Sequence, residues 1–555
     1  MVAAVPTRSV LAVTAALALV AAGCRPHVAP PPPPPKLALV VLIVIDQLPS
    51  WGFEARQDLY QHGLRRLIRE GEVFPRVAYP YAITFTAPGH AAIGTGAAPD
   101  RTGIVANGWY RRAQGRERQA EWDDGAPILG LPGRPADGLE GASSAALRVD
   151  GIADALEAAT GGAARTVAIA GKPRAACFVA GRRPDVVLWY DAALRGMTSS
   201  RAYGDTLPAW LLALDAARPV ADLLREVWAA TDPAALAART GIPDDAPGES
   251  GEHGLGVVFP HDLARTADAG KALRSTPLLD RLEVDTAIAA VDGEQLGADD
   301  TVDLLAVSFS AHDYAGHSWG QESWEMIELE QRLDRELGRL LDHLDRTVGA
   351  DRYAVVLTSD HGATPMIEGG RHPGARRIAP AELEAVAEGA AAAALGAGDW
   401  IAAISSAMVY ASPALLTHPD RDRALAAIAA ALAEVPQVAQ VVRLDAAPVG
   451  CTGLDALLTS ACLSRFTGET GELLIVPTDG SLVTSYPAGT SHDAPSDDNR
   501  LVPAIVRVPG PHTRTDLPVP SALSIAPTVT ELLGIAPPTA ATAPPLVRLG
   551  RPAVR

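Results

Sequence analysis

Three carboxylates and three imidazoles recur in short polar clusters that follow apolar runs. Asp46 closes the run "LALVVLIVID", Asp313 and His317 stand four apart in "HDYAGH", Asp360 and His361 are adjacent in "SDHG", and His492 sits in "GTSHD". Mixed Asp and His donors suit borderline divalent ions, zinc above all. A spacing of four puts Asp313 and His317 on one face of a helical turn, where both can reach one ion. Six such side chains and one hydroxyl are enough for two ions that share a substrate oxygen. Each piece alone carries little weight, since Asp-x-x-x-His on a helix is usually a surface pair and "SDHG" an ordinary turn. Their common placement after apolar runs is the signal.

The hydroxyl must come from elsewhere. "YPYAITFTAPGHAAIGTG" offers Thr84, Thr86 and Thr95 in a nearly uncharged stretch. A threonine hydroxyl is a poor nucleophile unless a base or a metal ion deprotonates it. By chemistry alone all three threonines qualify.

The elements that must position these groups can be read from pattern. Leu37 to Asp46, Asp303 to Asp313 and Tyr353 to Gly362 are β-branched apolar runs, and "LVPAIVRVPG" from Leu501 is a fourth. Continuous apolar runs predict strands covered on both faces. Between the second and third, Met326, Leu329, Leu333, Leu337, Leu340 and Leu344 step by three or four, as an amphipathic helix requires. Strand, helix and strand in that order predict an α/β fold with a mostly parallel central sheet flanked by helices. Sites in such sheets gather at the carboxyl ends of strands, where the acids fall. Residues 185–300 and 376–485 break the alternation, and the second stretch is expected to be a smaller α+β cap insertion.

The chain has 555 residues, 48% of them apolar, and a formal net charge of -18. That length suits a large core, and the charge makes a nucleic-acid partner a poor expectation. Residues 1–23 read as a lipoprotein signal peptide, with Arg8 ahead of an apolar stretch from Val10 to Ala22 that is too short to cross a bilayer. Cys24 is then the lipidated residue, and residues 24–36 a proline-rich tether. An exported protein anchored by lipid to the bacterial envelope follows, with Arg25 favouring the outer membrane on its periplasmic side. Cys451 and Cys462 are expected to pair, leaving Cys177 free and buried.

From Leu37 to about Leu533 the chain resembles the alkaline phosphatase superfamily, in the branch of type I phosphodiesterases and nucleotide pyrophosphatases, and within it the PafA-type bacterial alkaline phosphatases. The likeness rests on "VIDQ", "TFTAPGHAAIGTG", "TGIVANGWY", "LWYDAALRGMTSSRAYGDTLPAW", "SFSAHDYAGHSWG", "SDHG" and "GTSHD", in that order. It implies a catalytic domain over 37–545 with Thr86 as nucleophile and His90 as a structural neighbour. It implies one metal on Asp313, His317 and His492, and another on Asp46, Asp360, His361 and the Thr86 oxygen. Asn107 matches the asparagine that contacts a phosphoryl oxygen. Lys172 and Arg174 match the lysine and arginine that grip the phosphoryl group, and two positions apart they would share one face of an extended segment. Departures are Pro173 where aspartate is usual, Thr102 where histidine often stands, and Asp493 after His492 in place of glycine.

The implied activity is hydrolysis of small-molecule phosphoric monoesters through a phosphothreonine at a two-zinc site. Phosphodiesterase or nucleotide pyrophosphatase activity on the same metals is the alternative, and a non-catalytic surface-anchored binding protein the reading from another class. Oligomeric state is not addressed by the sequence.

Overall fold

The computed structural model describes residues 1, 36–448 and 450–550. The signal peptide, Cys24 and the tether up to Pro35 lie outside the described residues.

In chain order, β1 (Leu39–Ile45) runs into Asp46 and is followed by α1 (Ser50–Arg56), β2 (Glu72–Ala78) and α2 (Thr86–Thr95). Next come β3 (Thr166–Ala170), α3 (Pro173–Phe178), β4 (Val186–Asp191) and β5 (Gly196–Thr198). Then follow β6 (Asp303–Phe309), α4 (Ala311–Trp319), α5 (Trp324–Leu344) and β7 (Tyr353–Thr358). The cap contributes α6 (Pro380–Leu395), β8 (Ile401–Ser405), β9 (Met408–Ala411), α7 (Arg421–Ala433), β10 (Val438–Arg443), α8 (Ala456–Leu463) and β11 (Leu473–Pro477). The chain returns to the main sheet as β12 (Leu501–Arg507).

Among the described residues the main sheet has eight strands in the order β2-β12-β7-β1-β6-β3-β4-β5. Its centre, from β7 to β4, is parallel. The strands outside that centre pair antiparallel. Every residue of β1 is buried, because alternate side chains feed cores on opposite faces. Val40, Leu42 and Val44 face one core, while Leu39, Val41, Ile43 and Ile45 face the other. Val44 pairs with both Ser308 and Thr358, so three strands leave the sheet at one level. This level end is what brings Asp46, the Asp313 helix and Asp360 together.

The predicted amphipathic helix is α5, and all six of its spaced apolar residues are buried. The cap is α+β as expected, a four-stranded antiparallel sheet in the order β8-β9-β11-β10 against which α6 and α7 pack. "WIAAISSAMVYAS" is its first hairpin. Cys451 and Cys462 are disulfide-bonded, and Cys177 is free and buried. No helix among the described residues is long and apolar enough to cross a membrane.

One buried ion pair ties α1 to α5. Arg56 Nε donates to Glu330 Oε2 at 2.8 Å, and Tyr60 donates to the same carboxylate at 2.8 Å. Burial pushes the Glu330 carboxyl up, but Arg56 and His312 outweigh it and hold it at about 2. A folded value below the ordinary 4.5 means the pair stabilises fully above pH 4.5 and is lost as pH falls toward 2. Glu330→Gln leaves the buried Arg56 without a counter-charge and should cost about 3 to 5 kcal/mol at neutral pH. Urea unfolding checks this, and a loss under about 1 kcal/mol would refute the assignment.

Candidate active site and metal centre

The site is assembled at the carboxyl ends of the central strands. Asp46 follows β1 directly, Asp360 and His361 follow β7, and Asp313 lies in the first turn of α4 rather than at the strand end itself. His317 is one turn further along α4, and His492 enters on the loop before β12. Asp46, Asp360 and His361 are fully buried, and Asp313 and His492 nearly so.

The three histidines are oriented in the same way. His317 Nδ1 donates to the Thr490 carbonyl at 2.7 Å, His361 Nδ1 to Gly362 at 3.0 Å, and His492 Nδ1 to Thr84 at 2.6 Å. A carbonyl only accepts, so each Nδ1 carries the proton and each Nε2 keeps its lone pair for a ligand. Burial, with His492 nearby, lowers His361 to about 3, so its ring is neutral at ordinary pH. Burial likewise lowers His492. His317 moves the other way, because Asp313 outweighs its burial.

The donor atoms converge. Asp46, Asp360 and His361 offer ligand atoms within 4.8 Å of one another, and so do Asp313, His361 and His492. His361 therefore stands between two groups, with its ring stacked on His492 at 3.6 Å between centroids. His317 joins the second group through Asp313, with Nε2 3.3 Å from Asp313 Oδ1. Asp46 Oδ1, Asp360 Oδ2 and His361 Nε2 are buried without a hydrogen-bond partner. Unpartnered carboxylate oxygens and imidazole nitrogens facing one another fit a divalent metal centre. They fit little else.

Thr86 opens α2. Its neighbours Thr84 and Thr95 are committed elsewhere, Thr84 Oγ1 donating to His492 O at 2.9 Å and Thr95 Oγ1 to Ala91 O at 2.6 Å. Thr86 Oγ1 instead lies 3.4 Å from Lys172 Nζ, at the helix N-terminus, where the helix dipole favours negative charge. Asn107 Oδ1 accepts from the Ala87 N–H at 2.8 Å, which leaves its amide N–H groups free to donate. His90 is structural, with Nδ1 donating to Thr86 O at 2.8 Å and Nε2 paired with Ser308 at 2.7 Å. Gly89 is needed for closeness, since a Cβ there would sit 2.3 Å from the Asp360 carbonyl.

Lys172 is fully buried, 2.7 Å from Asp46 Oδ2 and in contact with Asp313 Oδ2. Burial and the neighbouring acids push Asp46 well above the usual carboxylate range, against the pull of Lys172. Asp313, despite burial, is held well below that range by Lys172 and His317. The extended segment expected for Lys172 and Arg174 is not formed. Lys172 is the N-cap of α3, Pro173 its first residue, and Arg174 lies within the helix. The cause is Pro173, whose fixed φ and missing N–H suit a helix start. Arg174 still faces the site, near Asp46, Asp313, Tyr314 and the buried Glu121, and its Nε has no partner.

The cap holds the backbone that leads to the site. Ala82 N donates to Ser460 O at 3.0 Å, and Ser464 Oγ accepts from Ala82 at 2.8 Å and Ile83 at 3.2 Å, so α8 fixes the segment that leads to Thr86.

The family model for type I phosphodiesterase / nucleotide pyrophosphatase matches residues 40–500. The chain belongs to that family. Alkaline phosphatase PafA of Elizabethkingia meningoseptica is 27% identical over 535 residues, covering 91% of this chain and 93% of that one. Alkaline phosphatase PhoK of a Sphingomonas species is 33% identical over 326 residues, 59% of this chain and 55% of that one. The crystal structure of PafA matches with a TM-score of 0.84 at 26% identity, over 92% of this chain and 98% of that one. A PafA variant changed at one threonine, one asparagine, one lysine and one arginine matches with a TM-score of 0.83. This family member has the alkaline phosphatase-like fold and is a phosphate ester hydrolase of metal-dependent type.

Sequence reasoning missed Gln47, Glu121 and Tyr314. Gln47 stands in a quoted motif beside Asp46, but nothing in its type announces a role. The Nδ1 acceptors are main-chain carbonyls, for which residue types carry no signal. Because His492 has its Nδ1 fixed and its Nε2 3.5 Å from Asp313, His492→Ala should lower metal content per chain. Elemental analysis measures it, and unchanged content removes His492 from the ligands.

Proposed function

We propose that the protein is a phosphomonoesterase that works through a phosphothreonine on Thr86, with two divalent ions, zinc by donor type. Asp313, His317 and His492 would hold one ion, and Asp46, Asp360 and His361 the other with Thr86. Bound ions would acidify the Thr86 hydroxyl and neutralise charge on the leaving oxygen. Thr86 Oγ1 attacks phosphorus in line, the bond to the leaving oxygen breaks with its electron pair, and water later cleaves the phosphothreonine. Asn107 donates its free amide N–H to a phosphoryl oxygen, and α2 contributes its N-terminal dipole.

The observation that carries the monoester reading is a lysine beside Thr86, with a buried arginine two residues further along the chain. Lys172 Nζ reaches Thr86 Oγ1 at 3.4 Å, and Arg174 has no carboxylate within ion-pair distance among the described residues. A monoester dianion places more charge on its non-bridging oxygens than a diester does, so added cations favour it. The PafA variant supports the same set, because its altered threonine and asparagine are spaced as Thr86 and Asn107 are here, and its lysine and arginine as Lys172 and Arg174. The family's diesterase branch is the second reading, and one experiment separates the two.

Thr86→Ala should lower turnover by several orders of magnitude with the fold retained. Thr84→Ala removes only a donor to a carbonyl and keeps the Thr84 O acceptor for His492, so it should cost about tenfold or less. Equal losses in the two variants mean the nucleophile is misassigned.

Each charged contact to a developing oxyanion is worth roughly 2 to 4 kcal/mol, or about 30- to 1000-fold in rate. Lys172→Ala/Arg174→Ala should therefore lose orders of magnitude in kcat/KM on an aryl phosphate monoester, and far less on the matched diester. A parent enzyme faster on the diester would sink the monoesterase reading while leaving Thr86 in place.

A further inference from the structure

Behind the carboxylates lies a second set of buried polar groups that the reaction does not use. Gln47 directly follows Asp46 and adopts φ 65°, a region non-glycine residues seldom enter. In that conformation its main-chain N–H donates to Asp360 Oδ1 at 3.1 Å, while its side-chain Nε2 donates to Asp313 Oδ1 at 2.9 Å. Asp360 and Asp313 belong to different ligand groups, and one residue holds both.

Gln47 is itself held. Its Oε1 accepts from Gln321 Nε2 at 2.9 Å, and the Gln321 carbonyl accepts from Arg56 Nη1 at 2.8 Å. Arg56 is fixed by Glu330, Glu330 Oε1 pairs with His312 Nε2 at 3.0 Å, and His312 Nδ1 donates to the Asp46 carbonyl at 2.9 Å. The chain of contacts closes on the residue next to its start. Gly316, between Asp313 and His317, makes room for it. A Cβ there would lie 2.0 Å from Gln47 Oε1 and 2.6 Å from Gln321 Nε2.

We propose that Gln47 is a positioning residue that sets the spacing of the two metal groups, its main chain fixing Asp360 and its side chain fixing Asp313. The inference rests on the two-ion reading above. A carboxylate oxygen that accepts a fixed N–H is oriented before any ion arrives, and losing such a partner typically costs 10- to 100-fold in metal affinity or activity. The closed network explains why a single amide can hold that geometry, since every member is anchored by another.

The test compares metal-stripped parent and Gln47→Met proteins, matched by circular dichroism and melting temperature. Each is titrated with zinc against a chromophoric competing chelator. The parent should bind two equivalents, and any other number defeats the two-ion reading together with this proposal. Gln47→Met should bind one equivalent about 10- to 100-fold more weakly, with turnover restored by excess zinc. A merely structural role would not give that rescue. If the parent binds two equivalents and Gln47→Met binds both with parental affinity, the positioning role is wrong while the two-ion reading stands. Gly316→Ala displaces the same side chain from the opposite side and should show the same single weakened equivalent. It decides the matter if Gln47→Met cannot be recovered folded.

Discussion

Three carboxylates are taken out of water at one end of a parallel sheet, and much of the surrounding structure answers that fact. Asp46 and Asp313 both touch the Lys172 ammonium, so they are no more than about 5 Å apart, where two like charges repel by about 3 kcal/mol at an effective dielectric near 20. Asp360 adds a third charge, and burial raises the cost of each. Only cations and N–H donors can offset this. Lys172 supplies one positive charge, Gln47 and the His361 main chain supply donors, and the remaining free oxygens are where divalent ions fit. Divalent ions would complete the balance, because Lys172 and Arg174 are two positive groups beside three acids.

The same constraint orders the rest of the architecture. A parallel sheet buried on both faces exposes its strand ends at one level, and the register of β1 with β6 and β7 delivers three turns that carry candidate ligands there. Precision comes afterwards, from contacts that hold side-chain rings in place. Each histidine is fixed through Nδ1 to a backbone carbonyl, and α2 is admitted against the Asp360 carbonyl only because residue 89 lacks a Cβ. Hydrophobic burial sets where the strands go, and hydrogen bonds, with the Lys172 ion pair at Asp46, set which way six side chains point.

What the sequence disclosed and what it withheld follow from that division. The apolar runs, the spacing of α5 and the α+β character of residues 376–485 are properties of pattern, and pattern is local. The ligand candidates were also readable, because Asp and His after apolar runs are chemically conspicuous. Choosing Thr86 over Thr84 and Thr95 was not possible from hydroxyl chemistry, and needed either the family likeness or the contacts that occupy the other two. The two-residue spacing predicts an extended segment for Lys172 and Arg174, whereas Pro173 between them is a local helix-start signal, and the helix is what forms. Gln47 was invisible for a different reason. Its role depends on a positive φ and on Gly316, more than two hundred and fifty residues away in the chain, and neither is a property of its neighbourhood in sequence.

The cap raises the question of what an insertion can add to chemistry it does not perform. Its nearest contribution is to the backbone before Thr86, where Ser460 on α8 and Ser464 at its C-terminal cap accept from Ala82 and Ile83. Those N–H groups lie in a segment without regular structure, so without α8 they would have to find other partners or face water. The proposed attack by Thr86 needs a helix that starts at a fixed place, because a displacement of about 1 Å from in-line geometry can cost two orders of magnitude in rate. Arg111 and Arg112, just past Asn107, pair with Glu469 and Glu472 of the cap and tie down the segment on the other side of the site. On the mechanism proposed above, the cap would act on catalysis by fixing the two segments that carry Thr86 and Asn107. These contacts are made by a main-chain carbonyl, a serine hydroxyl and two glutamates, groups whose types announce no catalytic role, which is why the insertion could not be assigned one from residue types alone.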